Sequence, residues 1–210
     1  IVVEGTILFD DGALEAYYST QLITVSGTMT VADETEITID GTVEVTGTLA
    51  VSTTEDKAGV VSIADDGVLI VGDKPTDLGV AGSGVVSGAV ESDNGIIKAY
   101  NGADLSGAQI DVVSGESEAK STAFYINGEL YMTVYSCDVR QVADIVGYEE
   151  FDIVGYVTER DGTNPLDIGD LQYWYTDAEM SQKADKVTDL GSPEALYFKA
   201  PAAQVTISVS

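Results

Sequence analysis

Histidine is absent from this chain of 210 residues, cysteine and tryptophan occur once each, and only nine side chains are basic. Without histidine the commonest general base and metal ligand at neutral pH is missing, which counts against hydrolase triads and zinc chemistry. An enzyme built on this chain would have to use carboxylates, Tyr, Lys or the lone Cys137. One cysteine excludes an intrachain disulfide and any CxxC motif, and Cys137 reads as a small buried hydrophobe, with an intermolecular disulfide as the alternative. No segment approaches the roughly 18 consecutive apolar residues of a membrane helix, so direct membrane insertion is not expected. No basic stretch followed by an apolar one stands at Ile1, so a secreted form would already have lost its signal peptide. The glycines form no GxGxxG, P-loop or GxSxG, which leaves nucleotide binding and serine hydrolysis without support.

Acids are what the chain has in excess. Against nine Lys and Arg stand 36 Asp and Glu, a formal charge of −27. A field of that sign repels phosphate backbones and anionic lipid, so nucleic acid is not an expected partner. The acids are spread along the chain, as in a solvated, self-repelling surface; divalent-cation capture and adaptation to high salt are the sharper readings. Hydrophobic residues make up 44% but fall in short alternating Val, Ile, Leu and Ala runs among 22 glycines and many threonines, which predicts many short strands.

An internal repeat organises the first part. Val25 to Val31 (VSGTMTV) returns as Val45 to Val51 (VTGTLAV), 20 residues on. In that register Gly27, Gly47 and Gly67 fall in one column, Met29, Leu49 and Leu69 in a second, Val31, Val51 and Val71 in a third, and Ile23, Val43 and Ile63 in a fourth. Gly5 to Phe9 resembles an earlier copy displaced by 22 residues, and Gly41-Thr42 suggests a second corner. Gly102 to Ile110 (GADLSGAQI) resembles two pentapeptide-repeat units. The pattern predicts a β-solenoid over residues 1–115, with 20-residue coils, alternate apolar residues pointing inward and coils about 4.8 Å apart. An antiparallel sandwich or meander is the competing reading, because strand, Gly-Thr, strand also describes hairpins.

A polar stretch, Ser114 to Ser121, marks a junction, and most aromatics follow it in an expected second β module, residues 122–210. Phe124 to Ile126, Asn127-Gly128 and Leu130 to Tyr135 read as a hairpin with a type I′ turn. Arg140 to Val146 and Ala178 to Asp185 are the candidates for helical turns. Gly155-Tyr156, Tyr173 to Glu179 (YWYTDAE) and Ala195 to Ala200 (ALYFKA) carry a resemblance over about residues 122–200. They look like the Listeria–Bacteroides repeat, although Tyr173-Trp174 stands where that family has Gly-Trp and its usual first strand is missing. The resemblance implies a small β-grasp-like module of secreted and cell-wall proteins, used for surface display or spacing, with no catalytic residues.

The expected architecture is therefore all-β: a solenoid followed by a β-grasp-like or sandwich-like module. Asp161, Asn164, Asp167 and Asp170 place hard oxygen ligands of the kind Ca²⁺ takes in one Gly/Pro-containing loop, without EF-hand spacing; a solvated acidic loop is the alternative. Paired carboxylates for glycoside cleavage stay open, with no pair distinguished. Tyr173-Trp174-Tyr175 reads as core on one side and as a sugar-stacking platform on the other. Ile1 to Phe9 reads as a strand and Gln204 to Val209 (QVTISV) as an alternating one; through Ile1, Val2, Val3, Val205, Ile207 and Val209 they either complete their own sheet or pair with a neighbouring subunit. The functional expectation is a non-catalytic extracellular or cell-surface protein, a homo-oligomer or polymer that forms a filament, sheath or surface layer. An adhesin or glycan-binding fragment of a larger surface protein is the alternative, and a polysaccharide-processing solenoid enzyme a third.

Overall fold

A computed structural model describes residues 2–3, 6–9, 15–16, 22–54, 58–64, 67–75, 81–92, 95–112, 120–136, 139–141, 175–182, 187–189 and 195–198. Among these residues the chain forms strands and turns and no helix. Short strands come first: β1 (Val2–Val3), β2 (Thr6–Phe9), β3 (Glu15–Ala16), β4 (Leu22–Val25), β5 (Thr28–Val31), β6 (Glu36–Ile39), β7 (Thr42–Val45), β8 (Thr48–Val51), β9 (Val60–Ile63) and β10 (Val68–Val71). Longer ones follow: β11 (Val85–Ser92), β12 (Ile96–Tyr100), β13 (Asp104–Val112), β14 (Lys120–Ile126) and β15 (Glu129–Ser136). The last three are β16 (Val139–Gln141), β17 (Val187–Asp189) and β18 (Ala195–Phe198).

Alternation of side chains explains why these segments are strands. In β5, β7, β8, β9 and β10 every second residue is buried and the residues between are half-exposed, the period-2 signature of a sheet with one face on a core. Most pairings are parallel. One sheet runs β1-β4-β7-β10-β12-β15-β14-β18 and the other β2-β5-β8-β11-β9-β6-β3, with β13 beside β11. Up to β10, each strand therefore pairs with the one three places later: β1 with β4, β4 with β7, β7 with β10; β2 with β5, β5 with β8; β3 with β6, β6 with β9. The longer β11 serves two ladders at once, its first half beside β8 and its second beside β9.

Both sheets close over a single core that includes Ile23, Val25, Met29, Val31, Leu49 and Leu69. Each such side chain removed from water contributes roughly 1.5–3 kcal/mol. Corners between strands repeat as well. Thr48 N–H donates to Gly27 O (2.8 Å), Val85 N–H to Gly47 O (2.9 Å) and Asp104 N–H to Gly84 O (2.8 Å). A second corner is built by Val68 N–H on Gly41 O (2.8 Å) and Ile96 N–H on Gly67 O (3.0 Å).

The first two steps of the sequence register match the pairing. Ile23 lies beside Val43, Met29 beside Leu49 and Val31 beside Val51, and Ile7 and Phe9 precede them at the 22-residue displacement. The third step differs. Leu69 and Val71 lie beside Val43 and Val45, so Gly67 belongs with Gly41 rather than with Gly27 and Gly47. Val86 takes the place beside Leu49, and Ile63 lies beside Ile39. The β8–β9 connection is longer than β5–β6, and the β9–β10 connection longer than β6–β7; together they move β10 by the distance from the start of one strand to the start of the next.

The hairpin is where the sequence places it: β14 and β15 pair antiparallel around Asn127 (φ 53°) and Gly128 (φ 84°), the two left-handed positions of a type I′ turn. The two expected helical turns are corrected only where their residues are described. Val139–Gln141 is a strand paired antiparallel with Val187–Asp189, and residues 142–146 lie outside the described residues. Ala178 to Gln182 is a tight turn, closed by Thr176 N–H on Gln182 O (2.9 Å) and by the Asp177 carboxylate; 183–185 lie outside the described residues.

Candidate functional site

The parallel ladders end in a step. On one side β12 does not stop the sheet: β15 pairs antiparallel with it and β14 and β18 follow, so this sheet extends three strands further, about 14 Å at 4.7–4.9 Å per strand. On the other side the ladder ends at β13, which pairs with β11 and with no other described strand. A strand edge of nine residues is left against the wall raised by the hairpin.

Register decides what that wall presents. Cross-strand neighbours share a face, and core-facing Ile97 and Ala99 of β12 lie beside Tyr135 and Thr133. Tyr135 packs against the core, and Ala123, Leu130 and Tyr125 continue its face outward through the pairing of β14 with β15. Tyr197 lies beside Tyr125, and Tyr175 forms an antiparallel bridge to Tyr197. All of these are half-buried. The opposite face of the hairpin carries Thr122, Phe124, Met132, Val134 and Leu196, each at most 1% exposed. It is a packed layer separate from the first core. Tyr100 meets Tyr131 edge-on at this layer, with ring centroids 5.5 Å apart.

Between wall and edge lies a cavity of about 520 Å³. Its floor is formed by Leu105, Ala108 and Ile110 of β13, half-buried apolar residues that lie against the main core. Leu130, Thr133 and Tyr135 line the wall, while Asn101, Asp104 and Ser106 supply polar groups. The cavity is thus the end of the hydrophobic core, with polar groups at its margin. The Asp104 carboxylate accepts from Ser106 N–H (2.9 Å), and the Ser106 hydroxyl and amide hold its carboxyl below the ordinary value of 3.8. Exposed Asp104 and Asp111, with Glu91 on the neighbouring strand, give this end of the ladder negative charge at neutral pH.

Two other carboxyls are displaced in the same direction. The Ser52 hydroxyl and then Thr54 lower Asp33, whose carboxylate accepts from the Ser52 hydroxyl. Asp177 is lowered chiefly by the Ser181 backbone N–H (2.9 Å), with Gln182 N–H (2.6 Å) also donating to it. The Asp177 contacts close a turn, whereas those of Asp33 tie the connection after β5 to the one after β8; both favour the ionised carboxylate.

Of the residues singled out by sequence, Val2 and Val3 pair along one edge with Thr24 and Val25 inside the chain. Ile1, Val205, Ile207 and Val209 lie outside the described residues, as do Asp161, Asn164, Asp167, Asp170, Cys137, Tyr173 and Trp174. Among the described residues no group of three or more acids or Cys is placed to hold a metal. Tyr125 and Tyr197 stack on each other, centroids 5.2 Å apart and planes at 15°, so each covers one ring face of the other rather than offering it to a sugar. The cavity was missed by the sequence, although one signal pointed to it. The Asn-Gly hairpin signals a change from parallel to antiparallel pairing after β13. Comparison with protein-family models, curated proteins and solved structures finds no match for this chain.

Proposed function

We propose that the chain is a non-catalytic extracellular structural protein, a β-solenoid that assembles with copies of itself through strand contacts at the end of its stack, in a filament, sheath or surface layer. In this reading β4-β5-β6, β7-β8-β9, β10-β11 and β12-β13 are successive coils, of unequal length. The observation that carries it is the recurrence of parallel pairing three strands later on each ladder. A chain returns to the same ladder in the same direction only by going round. Such a stack keeps its apolar residues inside and offers partners its ends and outer face.

Surface location is supported by the acidic, threonine-rich composition and by the resemblance of residues 122–200 to the Listeria–Bacteroides repeat. One observation favours the second reading, an adhesin or glycan-binding fragment: a charge of −27 opposes the packing of like copies and favours a different partner.

Negative-stain imaging with light scattering, across a concentration series and with and without Ca²⁺, tests the assembly. Polymers whose length grows with concentration and salt are expected. Uniform monomers under every condition would overturn the structural reading, and specific retention on a glycan array would then support the second one.

A further inference from the structure

We infer that the cavity at the end of β13 is an acceptor for one extended strand, and that its occupant is the segment Gln204–Val209 of a second copy. The inference rests on the self-assembly reading above and names the contact through which it operates. Three observations meet at this site.

The first is the strand edge. β13 is bonded to β11 on one side only among the described strands, and its neighbours in the fold are parallel ladders that each accept a further strand. An added strand satisfies main-chain donors and acceptors along the edge whatever its sequence. The second is the apolar floor and wall. Leu105, Ala108 and Ile110 below, with Leu130 and Tyr135 beside them, line an open volume of about 520 Å³, where alternate side chains of an incoming strand would leave water. A complete coil of another copy cannot seat flush there. β15 already occupies the position beside β12 that the copy's β1 would need, so the step admits a single strand.

The third is charge. Asp104, Asp111 and Glu91 at this end repel an acidic strand, and the chain as a whole is acidic. Gln204–Val209 (QVTISV) carries no charge and alternates Val205, Ile207 and Val209 with polar residues. At about 3.3 Å per residue its six residues reach roughly 20 Å, the length of β13 from Leu105 to Ile110. Three apolar side chains of the donor therefore face three apolar residues of the floor.

The test separates donor from acceptor in the full chain. Ala108→Glu places a carboxylate in the floor and leaves the donor segment intact, whereas Ile207→Asp spoils the donor and leaves the cavity intact. Each variant alone is expected to need at least tenfold higher concentration than the unaltered chain for half assembly. Mixed in equal amounts, they are expected to form dimers that do not grow, because only one of the two possible contacts is competent. Thr133→Glu in the wall replaces Ala108→Glu if circular dichroism shows that the latter has lost its fold. Polymers indifferent to all three changes would overturn the cavity as the contact while leaving self-assembly standing. A mixture that stays monomeric would overturn the pairing of this donor with this acceptor. A monomer whose β13 amides are protected from hydrogen exchange, and lose that protection in Ile207→Asp, would show the segment serving its own chain and would also overturn the proposal. Absence of any assembly by the unaltered chain would instead remove the reading on which the inference rests.

Discussion

Gly47→Ala tests the close approach of the β7–β8 turn to the β4–β5 turn most directly. A Cβ at Gly47 would stand within van der Waals overlap of three backbone atoms of the preceding corner, 2.1 Å from Gly27 O, 2.4 Å from Ser26 O and 2.6 Å from Ser26 C. None of these is the end of a flexible side chain, so relief requires the two ladders to separate. The bonds that resist separation are Gly47 N–H on Val25 O (2.9 Å) and Thr48 N–H on Gly27 O (2.8 Å). Overpacking costs roughly 1–3 kcal/mol, and each of the two weakened backbone hydrogen bonds adds about 1 kcal/mol, so the expected loss is about 3–5 kcal/mol. For a chain of this size that lowers Tm by roughly 5–15 °C. Gly128→Ala is the control. Gly128 has φ +84° but nothing within 4 Å of the added Cβ, so only the left-handed strain of about 1–2 kcal/mol is expected. Urea unfolding of both variants, followed by far-UV circular dichroism, gives the comparison. If Gly47→Ala proves no more destabilising than Gly128→Ala, the close stacking of the corners is refuted, and with it the register assigned to β4, β5, β7 and β8.

Three further outcomes are expected. Leu49→Ala empties a fully buried site beside a small void shared with Ile23, Met29 and Val61, so collapse is hindered; a loss of about 3–5 kcal/mol in urea unfolding is expected, and under 1 kcal/mol would contradict the core assignment. Asp177 is held below the ordinary 3.8 by the Ser181 and Gln182 amides. It therefore stabilises the 175–182 turn fully above pH 3.8, and this contribution fades as pH falls through the lower folded-state value. Amide exchange at Ser181 and Gln182 should accelerate in that acidic window, and in Asp177→Asn at neutral pH; exchange that ignores both changes would remove the cap. Finally, mutual repulsion among acids should make Tm rise with NaCl between about 10 and 500 mM, as screening shortens from about 30 Å towards a few ångströms. A flat or falling Tm would mean that the acids are locally compensated.

The sequence alone determined the strands and the first register. Alternation in LITV, TMTV, TVEV and TLAV places every second residue inward, because a pleated strand has no other choice once one face is buried. Asn127-Gly128 determined the hairpin, since few other dipeptides accept two positive φ values at low cost. Which ladder a strand joins was decided only by the tertiary structure. A glycine followed by a short alternating strand is written at more than one corner, so Gly67 to Val71 reads equally well as a third copy of Gly47 to Val51 or as a copy of Gly41 to Val45. The combined length of the β8–β9 and β9–β10 connections, not the local pattern, sets the choice. Tertiary structure likewise decided that β15 closes one side of the ladder, while on the other side β13 is the last strand among the described residues. Pairing across chain-distant strands depends on side-chain packing against neighbours from the whole fold, and no residue in either strand encodes that by itself.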